Sequence, residues 1–469
     1  MSELWRMGAA ELAEQIRTGA ASSREVLEAH LARVEAVNPH LNAIVGVLAT
    51  SAREAADAAD RAVAEGGPIG PLHGVPFSVK ENVDVVGTAT TQGVPALAEA
   101  IADRDAPTVA RLRAAGGIPF VRTNMPDLGL RIHSHSELHG CTLNPWDPDV
   151  TAGGSSGGEA AALASGMTPL GIGNDIGGSL RNPAHCCGIA SIKPSVGVVP
   201  QATVIPPEDP ALSSQLMVAE GPMARGVRDV RLGLELLAGH DPRDPRSLPV
   251  TLTDAGPDEP LRVAVLAEPP GVRTDPGIAA TVRRAADVLA DLGHDVVEAV
   301  PPDYEELCHL WGALLMADLR VMRPLLESVM GNGGRTVLAN FDASVPPMGV
   351  DDVLAIHPRR YQAMRDWSAF FVDHPVLLSP TWAMRAFAPD HDLTASADGE
   401  MLETFRPVLH ANLLGLPAAV VPGGVADGLP VGVQVIGDRY TDLRVLTLAE
   451  QIEAAVGPLT PIDPVVRAS

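Results

Sequence analysis

Two glycine- and serine-rich runs carry the residues of this sequence that are best suited to chemistry. The first spans residues 153–158 and contains Ser155, and the second spans residues 175–181 and contains Ser179. Glycine lets the backbone adopt unusual dihedral angles and approach a ligand closely. A serine hydroxyl in such a setting can act as a nucleophile, and neighbouring backbone N–H groups can stabilise a developing negative charge. The two runs therefore indicate a nucleophile beside an anion-binding loop.

The segment between the two runs predicts how the second loop is presented. Residues 159–166 are rich in alanine and typical of a helix, and residues 168–172 are apolar and lead into the second run. Another short helix is then expected to begin near Ser179. Unpaired N–H groups at a helix start bind anions, and in acyl transfer they would hold the tetrahedral oxyanion. The residues expected to supply these groups are Ile176, Gly177, Gly178 and Ser179. A loop whose glycines only permit turning is the alternative.

A serine nucleophile needs a base, and the first run offers a rival arrangement. Ser155 and Ser156 both satisfy the G-x-S-x-G pattern of the nucleophile elbow in α/β-hydrolases. Such an elbow should follow a buried strand. Residues 144–152 are instead polar and contain two prolines, which disfavours the elbow.

Lys80 is the other candidate base. It ends the apolar, strand-like run at residues 76–79, which would carry its ammonium group toward the interior. Burial disfavours the charged form of lysine, and a neutral lysine can accept a proton. A solvated lysine at the edge of a strand is the alternative.

Alternating strand and helix patterns must position these groups. Strands are predicted at residues 43–48, 76–79, 118–121, 261–266 and 376–378. Helices are predicted at residues 9–18, 106–115 and 276–292, with a further one capped by Ser22 or Ser23. This alternation is typical of an α/β protein with a parallel or mixed sheet. Residues 303–370 form a helical block with several methionines and tryptophans, which would either line an adaptable apolar pocket or serve plain helix packing.

The composition argues against several classes of partner. The 469 residues carry 58 acidic and 34 basic side chains, and the resulting net charge of −24 would repel a nucleic acid. The sequence shows neither a run of about 18 apolar residues nor a basic and then apolar leader. A cytoplasmic protein without a membrane partner is therefore expected. The four cysteines lack metal-site spacing and are interpreted as reduced, buried thiols.

Several short motifs occur in an order and spacing that resemble the amidase signature family. They are HGVP at 73–76 before Lys80, NMP at 124–126, NPW at 144–146, the two glycine runs, CG at 187–188 with KP at 193–194, EGPMAR at 220–225, GLPA at 415–418 and GLPVGVQ at 428–434. The resemblance implies an α/β fold in which helices cover both faces of a central mixed β-sheet. It implies a single domain over residues 1–469, with the 303–370 block covering the substrate pocket.

The resemblance also implies a serine–serine–lysine triad. Ser179 would form the acyl-enzyme, Ser155 would relay the proton, and Lys80 would be the base. The family has a cis peptide bond before the relay serine, which would here join Gly154 to Ser155. Metal and cofactor are not part of this chemistry. The glycines expected to contact substrate are Gly129, Gly153 and Gly154.

Four positions depart from the residues that are usual in the family. They are Ala152, Asn174, Ser195 and Leu414. None of the four is expected to touch the three chemical groups, so the chain is expected to be active. Asp175 and Arg181 are retained, and we expect them to organise the second loop.

Three histidines and a glutamate share one short segment. They are His133, His135, Glu137 and His139. Such a set can bind a metal, but the segment lacks the H-E-x-x-H pattern, and the resemblance places it in a pocket-lining loop. Hydrogen bonding to substrate or nearby backbone is therefore favoured over metal binding. Substrate specificity is expected to reside in residues 129–139.

The resemblance implies a stand-alone amidase that acts on a small-molecule amide. The carboxylic amide C–N bond would be hydrolysed with release of ammonia or an amine, and the acyl group could also pass to another nucleophile. The glutamine-hydrolysing subunit of a tRNA-dependent amidotransferase is one alternative, although that subunit typically has threonine where this sequence has Ile176. A non-catalytic scaffold of the same fold is the other. A homodimer is also left open.

Overall fold

An eleven-stranded mixed β-sheet runs through the computed structural model, which describes residues 3–205, 209–252, 259–394 and 400–466. The strands in chain order are β1 (Ile44–Val47), β2 (Pro76–Lys80), β3 (Ile118–Thr123), β4 (His135–Ser136), β5 (Gly140–Cys141), β6 (Leu170–Asp175), β7 (Ala190–Lys193), β8 (Ala219–Ala224), β9 (Arg262–Val265), β10 (Asp295–Glu298), β11 (Val376–Pro380), β12 (Ala418–Ala426) and β13 (Leu429–Gly437). The order across the sheet is β1-β3-β2-β6-β8-β7-β12-β13-β11-β9-β10, and β4 pairs with β5 separately. Strand β2 is parallel to both β3 and β6, whereas β6 is antiparallel to β8.

Helices precede, connect and follow these strands. They are α1 (Ala9–Thr18), α2 (Ser23–Leu41), α3 (Ala49–Ala64), α4 (Pro107–Ala114), α5 (Gly157–Ala164), α6 (Arg181–Cys187), α7 (Leu212–Met217), α8 (Val227–Leu237), α9 (Pro276–Asp291), α10 (Tyr304–Val329), α11 (Asn332–Ser344), α12 (Val350–Asp373), α13 (His391–Thr394), α14 (Glu400–Leu413) and α15 (Asp442–Val456). Within the described ranges, none of them combines the length and apolar character needed to cross a membrane.

The sheet buries side chains on both faces because successive residues of a strand point in opposite directions. In β2, Phe77 and Val79 join a core that also contains residues of α1, α4, α8 and α15. In β11, Val376 and Leu378 face that same core, whereas Leu377 faces a second core formed largely by α10, α11, α12 and α14. The predicted α/β class, with helices on both faces of a mixed sheet, is therefore confirmed.

Most predicted elements are present, with shifted ends. The predicted strand at 76–79 continues to Lys80, and the one at 118–121 continues to Thr123. The predicted helix at 159–166 begins earlier, at Gly157. The expectation of a helix start near Ser179 is wrong by two residues, because α6 begins at Arg181. The Asp175 carboxylate accepts the N–H groups of Gly178 and Leu180 and holds the intervening residues in a turn.

The helical pattern of residues 303–370 corresponds to α10, α11 and α12. Their apolar faces form the second core together with α14, and Trp311, Phe341 and Trp367 are buried in it. Trp311 also donates from its indole Nε1 to the backbone oxygen of Ile176, at 2.9 Å. The block is thereby attached directly to the second glycine run.

Candidate active site

Lys80 is the last residue of β2 and is completely buried. Its Nζ lies 2.7 Å from Ser155 Oγ and donates to Asn174 Oδ1 at 2.8 Å. Burial lowers the pKa of Lys80 to about 7, and the negative charges of Asp175, Glu159 and Glu220 only partly oppose that shift. The alternative of a solvated lysine at a strand edge is therefore wrong.

Lysine occurs at only two positions in the whole sequence, 80 and 193. Both side chains are completely buried, and burial lowers the pKa of each to about 7. Lys193 Nζ donates to the backbone oxygen of Pro194 at 2.7 Å. All other basic side chains besides histidine are arginines, which stay charged. This use of lysine is a signal in the sequence that motif reading alone did not find.

Ser155 follows a cis peptide bond from Gly154, as the resemblance predicts. The backbone around it is tightly packed, because a Cβ on Gly154 would lie 2.5 Å from the carbonyl carbon of Ile132. A Cβ on Gly153 would likewise lie 2.7 Å from the Cα of Pro183. Gly129 lines the cavity in front of Ser155, whereas Gly153 and Gly154 are not among the described residues that line it. Substrate contact by these three glycines stays a prediction.

Ser179 lies in the second run, between β6 and α6, and lines the same cavity as Ser155. The part of the chain that the structure describes offers no hydrogen-bond acceptor to the backbone N–H groups of Ile176, Gly177 and Ser179. The expectation that Gly178 is also unpaired is wrong, because its N–H donates to Asp175 Oδ1 at 2.8 Å. Three of the four predicted oxyanion donors thus have no acceptor within the described protein.

Asp175 and Arg181 hold the second run in place, as expected. The Arg181 guanidinium donates to both carboxylate oxygens of Asp175, and it also contacts Gln434, Asn412 and the backbone of Val408. Burial opposes ionisation of Asp175, but the charge and hydrogen bonds of Arg181 outweigh it and hold the pKa of this carboxyl well below its usual range. Its negative charge is therefore paired with Arg181, away from direct contact with Lys80.

Asn174 is in direct contact with the triad, so the expectation that it touches none of the three groups is wrong. The residue lies on β6, which is parallel to β2 and brings Asn174 next to the end of β2. An amide oxygen accepts hydrogen bonds and cannot lose or gain a charge at neutral pH. Asn174 therefore orients the amine of Lys80 without stabilising its charged form as a carboxylate would.

An apolar wall closes one side of the cavity at Ser179. Trp311 is at its centre, with ring centroids 5.8 Å from those of Phe341 and of Phe405. The other apolar residues of this wall are Leu130, Ile132, Ile176, Leu315, Leu319, Val337 and Leu338. Polar residues lie on the opposite side, namely Asn82, Gln92, Gln201, Ser213, Ser214 and Asp318. The cavity thus joins a flat aromatic pocket to a more polar opening.

The three histidines of the 133–139 segment lie outside this cavity lining in the described structure. His133 Nδ1 is hydrogen-bonded to Thr151 Oγ1 at 2.9 Å, and His139 Nε2 lies 2.9 Å from a carboxylate oxygen of Glu81. His135 is partly exposed. Of the segment expected to govern specificity, residues 129–132 line the cavity.

The chain is similar to known amidases along nearly its whole length. The amidase family model matches residues 25–446. An indoleacetamide hydrolase of Bradyrhizobium diazoefficiens is 41% identical over 461 residues, which cover 97% of this chain and 88% of that protein. A glutamyl-tRNA(Gln) amidotransferase subunit of Salinispora arenicola is 34% identical and is covered over 99% of its length, with 98% of this chain. The solved structure of a bacterial aryl acylamidase of the amidase signature family superposes with a TM-score of 0.84 at 29% identity, with 98% of each chain covered.

Proposed function

This chain belongs to the amidase signature family of amide-hydrolysing enzymes, and we propose that it cleaves its amide through an acyl-enzyme on Ser179. The observation that carries this proposal is the contact between Lys80 and Ser155, in which a buried amine of lowered pKa lies 2.7 Å from a hydroxyl. Ser179 shares the cavity with that pair. The arrangement therefore combines a base, a relay and a nucleophile.

The first half of the reaction is a proton relay. Neutral Lys80 accepts the proton of the Ser155 hydroxyl, and Ser155 takes the proton of Ser179 as the Ser179 oxygen attacks the amide carbonyl carbon. Asn174 supports this direction of transfer because its oxygen accepts one N–H of Lys80, which leaves the lone pair free to face Ser155. The N–H groups of Ile176, Gly177 and Ser179 donate to the oxyanion that forms.

The relay then runs in reverse. The proton held by Lys80 returns through Ser155 to the nitrogen of the substrate, because an unprotonated amide anion is a very poor leaving group. The C–N bond breaks, ammonia or an amine departs, and the acyl group stays on Ser179. A water molecule attacks this ester by the same relay and releases the carboxylic acid. An external amine that took the place of water would yield a new amide.

The apolar wall supports an aryl-substituted acyl group as the substrate class. Trp311, Phe341 and Phe405 present aromatic rings that favour a flat, apolar partner. The relative from Bradyrhizobium diazoefficiens is named for indoleacetamide. We therefore propose a primary amide of an arylacetic acid, with the ring against this wall and the amide nitrogen toward the polar opening.

The helical block at 303–370 would cover the substrate, since it supplies Trp311, Leu315, Leu319 and Phe341 to the wall. We propose that residues 1–469 act as one domain, that the relay needs no metal ion and that the enzyme works in the cytoplasm. The apolar wall disfavours glutamine, whose α-amino and α-carboxylate groups call for charged partners. A glutamine-hydrolysing role is therefore the weaker alternative.

Replacing Ser179 by alanine is expected to abolish labelling by a fluorophosphonate probe and to remove amide hydrolysis. Lys80→Met is expected to lower kcat/KM at least 100-fold, because general base catalysis typically contributes about 10²–10⁴. Ser156→Ala is the matched control, since Ser156 lies in the first run and its buried hydroxyl has no hydrogen-bond partner in the described structure. Undiminished labelling of Ser179→Ala, or near-normal turnover of Lys80→Met, would contradict the relay.

The pH profile of kcat/KM is expected to follow the neutral form of Lys80. The rate should rise with pH through an acidic limb near 7, where Lys80 loses its proton. Asn174→Asp places a carboxylate beside Nζ, which favours the charged lysine, so the limb should move to higher pH by roughly one to three units. Asn174→Thr keeps an uncharged oxygen and should leave the limb near its original position. A limb that does not move in Asn174→Asp would exclude Lys80 as the titrating base.

The aryl wall is expected to determine substrate preference. Phe341→Ala and Phe405→Ala should each lower kcat/KM for an arylacetamide by about 10-fold or more, while leaving acetamide hydrolysis within a few fold. Phe370→Ala serves as the control, because Phe370 stacks on His374 outside the described cavity lining. Steady-state kinetics on arylacetamide, acetamide and glutamine would measure the preference. Equal losses for all three amides would contradict an aryl pocket, and efficient glutamine hydrolysis would favour the alternative role.

A further inference from the structure

Three metal-ligating side chains outside the catalytic centre come together at the 131–141 segment. Ligand atoms of His133, His135 and Cys141 all lie within 4.8 Å of one another. Cys141 Sγ is 3.4 Å from His133 Nε2. Residues on β4 and β5 supply two of the three, because the hairpin pairs His135 directly with Cys141.

Asp390 supplies a fourth candidate ligand from a distant part of the sequence. Its Oδ1 lies 4.0 Å from His133 Nε2 and 3.9 Å from His135 Nδ1. Tetrahedral zinc with bonds of about 2.0–2.3 Å separates its ligand atoms by about 3.3–3.8 Å. The observed separations are close to these values, so small side-chain movements suffice to close the site.

The groups around this cluster have the features of an outer shell. His133 Nδ1 is hydrogen-bonded to Thr151 Oγ1 at 2.9 Å, which leaves Nε2 directed at the cluster. Arg131 donates to Asp390 Oδ1 and pairs with the buried carboxylate of Asp392. One divalent cation and the Arg131 guanidinium would balance the Cys141 thiolate and these two carboxylates.

We propose that His133, His135, Cys141 and Asp390 form a structural zinc site. Two imidazoles, a thiolate and a carboxylate are a donor set that suits zinc, which prefers nitrogen and sulfur ligands in tetrahedral geometry. His135 and Asp390 are partly exposed, so the ion has a path from solvent. The four protein ligands complete the coordination shell and leave no position for substrate.

The zinc site would support the catalytic loop without taking part in the reaction. Ser134, between the two histidines, accepts the backbone N–H of Gly157 and donates its own N–H to the oxygen of Gly153. The segment also packs directly on Gly154, where a Cβ would lie 2.7 Å from the backbone nitrogen of His133. Zinc would therefore join the backbone beside Ser155 to the segment that carries Asp390.

This assignment changes the expected ligands of the histidine segment. The sequence grouped the three histidines with Glu137 and favoured hydrogen bonding over metal. In the structure His139 contacts Glu81, and Glu137 lies near Gly331, where a Cβ would come within 2.2 Å of its carboxylate. Cys141 and Asp390 replace these two residues in the cluster, and neither was considered as a ligand from spacing alone.

The test is metal binding by the full-length protein after chelator treatment. Titration with Zn²⁺ is expected to show one tight equivalent per chain and to raise the thermal transition temperature. Co²⁺ is expected to give the visible bands of a tetrahedral site and a thiolate-to-cobalt charge-transfer band. Cys141→Ser should remove the charge-transfer band, and His135→Gln should weaken binding at least 100-fold. His139→Gln, in the same segment, should bind as the wild type does.

Three outcomes would overturn the zinc site. They are a wild-type protein without a stoichiometric zinc equivalent, a cobalt spectrum without the thiolate band, and wild-type affinity in both Cys141→Ser and His135→Gln. Circular dichroism of every variant separates loss of a ligand from loss of the fold, and the partly exposed His135 provides a second substitution beside Cys141→Ser. The catalytic proposal is tested separately, since labelling of Ser179 does not depend on zinc content.

Discussion

The catalytic arrangement depends on the burial of one lysine that has no carboxylate in direct contact. Moving the pKa of a lysine from near 10.4 to about 7 corresponds to roughly 5 kcal/mol. Burial supplies this shift at Lys80, and its two nearest partners, Ser155 and Asn174, are uncharged. An exposed lysine, or one paired with an aspartate, would stay charged and could not accept a proton.

The sheet explains how these groups meet. Strands β2 and β6 are parallel neighbours, so the ends that carry Lys80 and Asn174 lie side by side. The chain leaves β6 through Asp175, whose charge is satisfied by Arg181 and by the N–H groups of the turn. That turn presents Ser179 and the free N–H groups to the cavity. One strand pair thus provides the base, its orienting amide and the frame of the anion-binding loop.

The sequence could predict the parts of this arrangement that are local or that match a family pattern. Alternation of strands and helices indicated the fold class, and the motifs identified Lys80, Ser155 and Ser179 as candidates. Contacts between distant residues were not readable in this way. Asn174 was classed as a harmless departure because spacing does not reveal that β6 runs beside β2. Gly178 was counted as a free donor because the position of the Asp175 carboxylate depends on the folded turn. Asp390 was missed for the same reason, since only the fold brings it to the histidines.

The pKa of Lys80 in the resting protein tests the central claim most directly. Because lysine occurs only at positions 80 and 193, protein made with ¹³C-labelled lysine should give two side-chain NMR signals, and Lys80→Met identifies which belongs to Lys80. The structure predicts that this signal titrates with a pKa of about 7. A Lys80 signal that stays protonated up to its reference pKa near 10.4 would contradict the account.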